Sequence, residues 1–227
     1  YLVLEDASGG EIDDKFLSTL KQNWQEKTEI LKKDYTDAEN IISQIDKLFQ
    51  ARQIKEKTKV QFINEFIVKA NSSLDTADGE EIDIWYDILD FFEAEEAGLE
   101  IFKKPEVLNY IDGLQQYMAQ SGLVGKSTSV TDIVKKVHKE LVDGREENYI
   151  VPDSSNAVAQ CLMQFQSSHK PNYLWHFVTY DYMNANLWLQ LTSGDNKDVE
   201  QVVKAVNNYI DENPPPVKIE HNWAGLT

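Results

Sequence analysis

The sequence predicts an α+β protein, and three patterns in its 227 residues carry that prediction. Residues 185–191 alternate between apolar and polar side chains, which is the period of a strand with one face on a core. Residues 199–210 then place apolar side chains at helical spacing, and the prolines at 214–216 end that helix before a short strand predicted at 217–220. Between residues 12 and 92, four apolar stripes are typical of amphipathic helices.

The strand predicted at 185–191 has two chemically different faces. One face is aliphatic and comprises Ala185, Leu187, Leu189 and Leu191. The other carries amides around one large aromatic, and comprises Asn184, Asn186, Trp188 and Gln190. Burial of a leucine side chain is worth roughly 1.5–3 kcal/mol, so the leucines decide the register and Trp188 is predicted to be exposed. Residues 193–195 are predicted to form the turn that ends this strand.

Upstream segments extend the strand–helix pattern. Residues 1–4 are predicted to be a strand, and Pro105 begins a helix that Gly122 ends. A strand is predicted at 124–130, followed by two helices at 132–141 and from about 154 to 165. The pattern predicts a ferredoxin-like βαβ-βαβ sandwich of residues 1–5 and 99–227, with extra helices between the halves.

Residues 6–98 are predicted to form an acidic, all-helical insertion after the first strand, as a bundle or a hairpin. Between Asp75 and Glu100 there are eleven carboxylates and no lysine or arginine. Residues 1–104 contain 24 acids and 13 bases, a net charge of −11, against 15 and 9, or −6, in the remainder. The insertion is therefore the more acidic part of the chain.

The composition of the chain limits the classes of molecule that it can bind. A net charge of −17 argues against nucleic-acid binding and against attraction to anionic lipid headgroups. Cys161 is the single cysteine, which excludes a disulfide within the chain. No run of about 18 apolar residues and no signal peptide is present, so the chain by itself is expected to be soluble.

Motifs for nucleotides, metals and catalysis are incomplete. The stretch GLVGKST has Gln120 where a phosphate-binding loop requires its first glycine. In DTADGEEID, a calcium loop with Gly79 at its sixth position would place Leu74 and Trp85 at ligand positions. The four histidines lie far apart, and no serine has the glycine spacing of a nucleophile elbow. We therefore expect no catalytic residue, no cofactor and no metal site, and a protein that is not an enzyme.

Four segments also carry a resemblance to a known family: KKPEVLNYIDGLQQYM, LVGKSTSVTDIVKKVHKEL, IVPDSSNAVAQCLMQFQSS and LWHFVTYDYMNANLWLQLTSGDN. Together they resemble the extracytoplasmic loop of bacterial exporters of the resistance-nodulation-division (RND) superfamily. The similarity is greatest to the branch that includes the mycobacterial membrane protein large (MMPL) transporters. The resemblance covers residues 1–5 and 99–227, and it does not extend to residues 6–98.

The resemblance implies a porter subdomain with a ferredoxin-like fold. It implies a periplasmic loop of a bacterial inner-membrane protein, excised from between two transmembrane helices, with the second of two such loops favoured. The expected partners are the remaining transmembrane and porter parts of the same transporter, and a hydrophobic or amphiphilic small molecule or lipid. The domain would form part of an efflux path, while proton flow through the absent transmembrane helices drives transport.

Two functional readings remain open. In the first, a substrate cleft or subdomain contact on the sandwich is expected at Trp188, Asn186, Gln190, Trp175 and Phe177, because aromatics among amides suit an amphiphile. In the second, the helical insertion docks a neighbouring subunit or an accessory protein. A concave aromatic cleft on the sandwich favours the first reading, and an exposed apolar stripe on the insertion favours the second.

Overall fold

The computed structural model describes residues 1–6, 10–50, 56–192 and 196–225, which form an α+β chain with a four-stranded antiparallel sheet. The chain divides into two compact units, the α/β unit (Tyr1–Ser8 with Glu100–Thr227) and the helical unit (Gly9–Leu99). The sequence predicts that the insertion begins after residue 5 and ends at residue 98, within a few residues of the divisions in the structure. Each unit has its own hydrophobic core.

The described part of the helical unit contains four helices, as the four apolar stripes predict: α1 (Asp14–Asp34), α2 (Ala38–Leu48), α3 (Lys59–Leu74) and α4 (Glu80–Ala97). Thr58 and Gln61 form a capping box that satisfies backbone N–H groups at the start of α3. The core is strongly aromatic, with the rings of Phe66 and Phe92 stacked at a centroid distance of 4.3 Å.

The α/β unit contains the strands β1 (Leu2–Asp6), β2 (Val124–Thr128), β3 (Asn184–Leu191) and β4 (Ile219–Trp223). Its helices are α5 (Pro105–Gln120), α6 (Val130–Val142), α7 (Ser155–Gln166) and α8 (Asn196–Glu212). Gly122 has the positive φ of +74° that its predicted role at the end of α5 requires.

The predicted bounds of three strands are wrong. Strand β1 spans Leu2–Asp6 instead of residues 1–4. Strand β2 ends at Thr128 instead of residue 130, because Ser129 forms a capping box with Asp132 that begins α6. Strand β4 begins at Ile219, two residues later than predicted, and extends to Trp223. The predicted turn at 193–195 lies outside the described residues.

The sheet has the strand order β2-β3-β1-β4, and every neighbouring pair is antiparallel. Leu2 of β1 lies opposite Leu187 of β3 on one side and Trp223 of β4 on the other. Leu2 and Leu187 are fully buried in a core that α5, α6, α7 and α8 supply from the same side. Because side chains alternate between the two faces of a strand, the residues buried on this inner face determine which side chains lie on the outer face.

The chain leaves the α/β unit after β1 and returns before α5 at neighbouring points. The backbone N–H of Asp6 donates to the carbonyl of Met183 at 3.0 Å, and that of Phe102 donates to the carbonyl of Tyr182 at 3.1 Å. The two acceptors are consecutive residues. A short connection can therefore join the two points without straining β1.

We expect that replacing residues 9–99 with a short Gly-Ser linker leaves an α/β unit that unfolds cooperatively, because the two cores share no residue and the ends to be joined are close. Thermal unfolding followed by near-ultraviolet circular dichroism measures this. A control deletion of residues 9–108 also removes the buried side chains of Phe102 and Leu108 and should not fold. Non-cooperative unfolding of the 9–99 deletion contradicts the prediction.

Gly113 permits close packing between α5 and α8. A Cβ atom at Gly113 would lie 2.5 Å from the hydroxyl oxygen of Tyr209. The Tyr209 ring contacts Tyr110 and Tyr117, at centroid distances of 5.7 and 5.2 Å, so it has little room to move aside. Burial raises the pKa of the Tyr209 hydroxyl, consistent with this packed position.

Gly113→Ala is therefore expected to destabilise the chain by about 1–3 kcal/mol through overpacking, although the same change in an open helix stabilises it by about 1 kcal/mol. Chemical denaturation measures the difference. Tyr209→Phe removes the oxygen that the new methyl group meets, so the double variant should recover most of the lost stability. A Gly113→Ala variant as stable as the parent chain shows that the contact does not constrain the helices.

Candidate functional site on the outer face of the sheet

Strand β3 has the predicted alternation. Ala185 and Leu187 are buried on the inner face, whereas Trp188 is 45% exposed on the outer face. Leu189 and Leu191 pack against the same core but are only half-buried. Trp188 is thus a large apolar side chain held at the surface by the leucines on either side of it.

Strand β2 contributes two further side chains to this face. Thr128 lies opposite Trp188, and Lys126 lies opposite Gln190. Residues directly opposite one another on neighbouring strands project from the same side of a sheet. The four side chains therefore form a contiguous patch across β2 and β3.

A short 3₁₀ segment, Pro171–His176, folds back over β3 and forms a wall beside this patch. The carbonyl oxygen of His176 accepts hydrogen bonds from the indole N–H of Trp188 at 3.3 Å and from the side-chain amide of Asn186 at 3.1 Å. The backbone N–H of Asn186 also donates to the carbonyl of Phe177 at 2.8 Å. These bonds attach the wall to the strand and fix the plane of the Trp188 indole.

The patch and the wall enclose a cleft of about 400 Å³, within the usual range for small-molecule sites. Its lining residues are Lys126, Thr128, Tyr173, His176, Phe177, Trp188, Leu189 and Gln190. The ring of Tyr173 contacts that of Phe177 edge-on, at 5.2 Å between centroids, and Trp188 stacks on Tyr1 at 4.8 Å. The floor is aromatic and aliphatic, and the rim is polar.

The structure brings three of the five predicted site residues into the cleft: Trp188, Gln190 and Phe177. Asn186 does not line it, because its amide is used to hold the wall. Trp175 is also outside the lining, since its ring packs on Tyr180 at a centroid distance of 4.1 Å. These two residues therefore lie outside the lining of this cleft, and a part for them in a subdomain contact stays a prediction.

Five lining residues were missed from the sequence: Lys126, Thr128, Tyr173, His176 and Leu189, the last of which was predicted only as a core residue. Lys126 and Thr128 are two residues apart, the spacing of one face of a strand, but their partners on β3 depend on the register. That register is interrupted by a bulge between Val124 and Lys126, which sequence periodicity does not reveal. Tyr173 and His176 line the cleft because the 3₁₀ segment that forms the wall folds back over β3.

Tyr182 fixes the loop that leads from the wall into β3. Its backbone has a positive φ of +52°, which is uncommon for a residue other than glycine. Its hydroxyl accepts a hydrogen bond from Gln166 at 2.8 Å, and the ammonium of Lys103 lies 4.1 Å from its ring centroid. Burial raises the pKa of Tyr182 to about 12, so this side chain stays neutral and acts as a structural anchor.

Within the described ranges, no group of three or more histidine, cysteine, aspartate or glutamate side chains is arranged to hold a metal ion. None of the helices in those ranges has both the length and the apolar character needed to cross a bilayer.

Trp188→Ala is expected to lower the free energy of unfolding by about 1–2 kcal/mol, because it removes one ring stack and one long hydrogen bond at a half-exposed position. Its neighbour Leu187→Ala should cost more, about 2–5 kcal/mol, since Leu187 is fully buried. Urea denaturation of both variants measures the contrast. A Trp188→Ala cost equal to that of Leu187→Ala contradicts the assignment of Trp188 to the outer face.

Comparison of the chain with models of known families, with curated proteins and with solved structures finds no match.

Proposed function

We propose that this chain is a non-catalytic substrate-conduit domain of an RND-type exporter, located on the periplasmic side of a bacterial inner membrane. The observation that carries the proposal is the half-open cleft of about 400 Å³ with Trp188 and Phe177 in its lining. A conduit requires an apolar surface that a ligand can reach and leave, and a cleft open to solvent meets that requirement.

The arrangement of the sheet supports the same proposal. Read from the other edge, the strand order is β4-β1-β3-β2, with α5 preceding β2 and α8 joining β3 to β4. This order and these crossovers are the ones expected of a ferredoxin-like sandwich, and we propose that fold for the α/β unit. The helices α6 and α7 are then additions between its two halves. The proposed fold agrees with the porter resemblance.

The distribution of exposed apolar side chains favours a conduit over a docking module. In the described helical unit the large exposed apolar residues lie on three different helices: Ile30, Val68 and Tyr86. The described α/β unit has more of them, and two line the cleft: Tyr173 and Trp188. No single helix of the described insertion presents an exposed apolar stripe, so the docking alternative lacks its expected surface.

In the proposed mechanism the apolar part of a substrate displaces water from the exposed rings of Trp188 and Tyr173. Each 100 Å² of apolar surface removed from water contributes about 2.5 kcal/mol, so a small cleft gives moderate and reversible binding. Substrate would pass on as neighbouring subdomains shift and change the opening of the cleft. The energy for that change would come from proton flow elsewhere in the same transporter.

The ligand-binding part of the proposal is tested by titrating the 227-residue chain with the neutral fluorescent probe N-phenyl-1-naphthylamine. We expect saturable binding that Trp188→Ala weakens by about tenfold, the equivalent of one lost aromatic contact. Trp175→Ala, an aromatic truncation outside the cleft lining, is the matched control and should bind normally. Equal binding by the two variants contradicts the placement of the site.

The transporter part of the proposal is tested by reading the coding sequence on both sides of residues 1 and 227. We expect each side to encode apolar spans of about 20 residues, long enough for transmembrane helices. Flanking sequence without such spans contradicts the assignment to an exporter, whether or not the cleft binds the probe.

A further inference from the structure

The cleft differs in charge from the rest of the molecule. The chain has 39 acidic and 22 basic residues, yet no aspartate or glutamate lines the cleft, whereas Lys126 does. The other polar lining residues are neutral hydrogen-bonding groups or the imidazole of His176. A ligand entering the cleft thus meets a cation at its rim without an adjacent carboxylate in the lining.

Lys126 is exposed and has no ion-pair partner among the residues that the structure describes. Four other lysines of the same unit are paired with carboxylates: Lys103, Lys135, Lys136 and Lys139. Its ammonium group is therefore available to an anion from solution. An exposed lysine acts as a mobile point charge, which suits headgroups of different shape.

The cation and the aromatic floor are offset along the strands. Lys126 pairs with Gln190, and the neighbouring pair Thr128 and Trp188 lies two residues further along the sheet. Two residues of an extended strand span roughly 7 Å. A ligand with a charged group at Lys126 can therefore lay the first carbons of an apolar chain across Trp188.

We infer that the cleft binds anionic amphiphiles, with the headgroup at the Lys126 ammonium and the Gln190 amide, and the apolar chain on the exposed rings of Trp188 and Tyr173. This inference rests on the proposed conduit function and specifies its ligand class. Carboxylate, phosphate and sulfate headgroups share the chemistry that Lys126 recognises. The ligand is a single molecule in the cleft, because a chain of net charge −17 is repelled by an anionic membrane surface.

The test is calorimetric titration of the 227-residue chain with three compounds of equal chain length, each below its critical micelle concentration: dodecanoate, dodecyl phosphate and neutral dodecyl maltoside. We expect the two anions to bind about two- to fivefold more tightly than the neutral compound, since one exposed charge contact is worth a factor of this order. The preference should shrink as ionic strength rises.

Lys126→Gln should abolish the preference for the two anions over dodecyl maltoside, and Lys126→Arg should retain it. Lys218→Gln is the matched control, because it removes the same charge just before β4, at the opposite edge of the sheet from β2. It should behave like the parent chain. An anion preference that survives Lys126→Gln, or that Lys218→Gln abolishes equally, overturns the inference.

The outcomes also separate this inference from the proposed function. If all three compounds bind equally and Trp188→Ala weakens each of them, the cleft is an amphiphile site without charge selectivity and only the inference fails. If none of the three compounds binds, the proposed conduit function fails together with the inference. Binding of either anion at Lys126 without any effect of Trp188→Ala reduces the site to a surface ion contact, which also overturns the inference.

Discussion

The burial of Leu187 against Leu2 is the contact on which the rest of the site depends. Leu187 lies opposite Leu2 across the β1–β3 pair, and both side chains are fully buried. Because side chains alternate along a strand, this single register places Trp188 on the outer face. A slip of one residue would expose several aliphatic side chains, at a cost of roughly 1.5–3 kcal/mol for each one fully exposed. The core therefore holds an exposed tryptophan in place.

The outer face becomes a cleft because the wall is tied to the same strand. One carbonyl oxygen, that of His176, accepts hydrogen bonds from both Asn186 and Trp188. The side-chain amide of Asn186 is thus used to hold the wall. Gln190 lies four residues further along the same face of β3 and lines the cleft instead. Asn186 and Gln190 occupy equivalent positions in the alternating pattern of β3, but the wall gives them different roles. The cleft's polar rim and apolar floor follow from this arrangement.

Local pattern was enough to predict the helices, the alternation of β3 and the exposure of Trp188, because each depends on neighbours in sequence. The pairing of β2 with β3 was beyond prediction, since a bulge near Lys126 shifts the register by a residue. Trp175 lies in a 3₁₀ segment that was not predicted from the sequence, and its ring packs on Tyr180 instead of lining the cleft.

The central claim is that an amphiphile occupies the cleft beside Trp188, and the tryptophan indole N–H signals report on it most directly. The chain has five tryptophans, of which Trp24 and Trp85 belong to the helical unit. In a ¹H–¹⁵N spectrum recorded with increasing dodecanoate, the Trp188 signal should move, because its N–H is bonded to the wall at His176. The Trp24 and Trp85 signals should stay in place. Movement confined to those two signals, with Trp188 unchanged, contradicts the account.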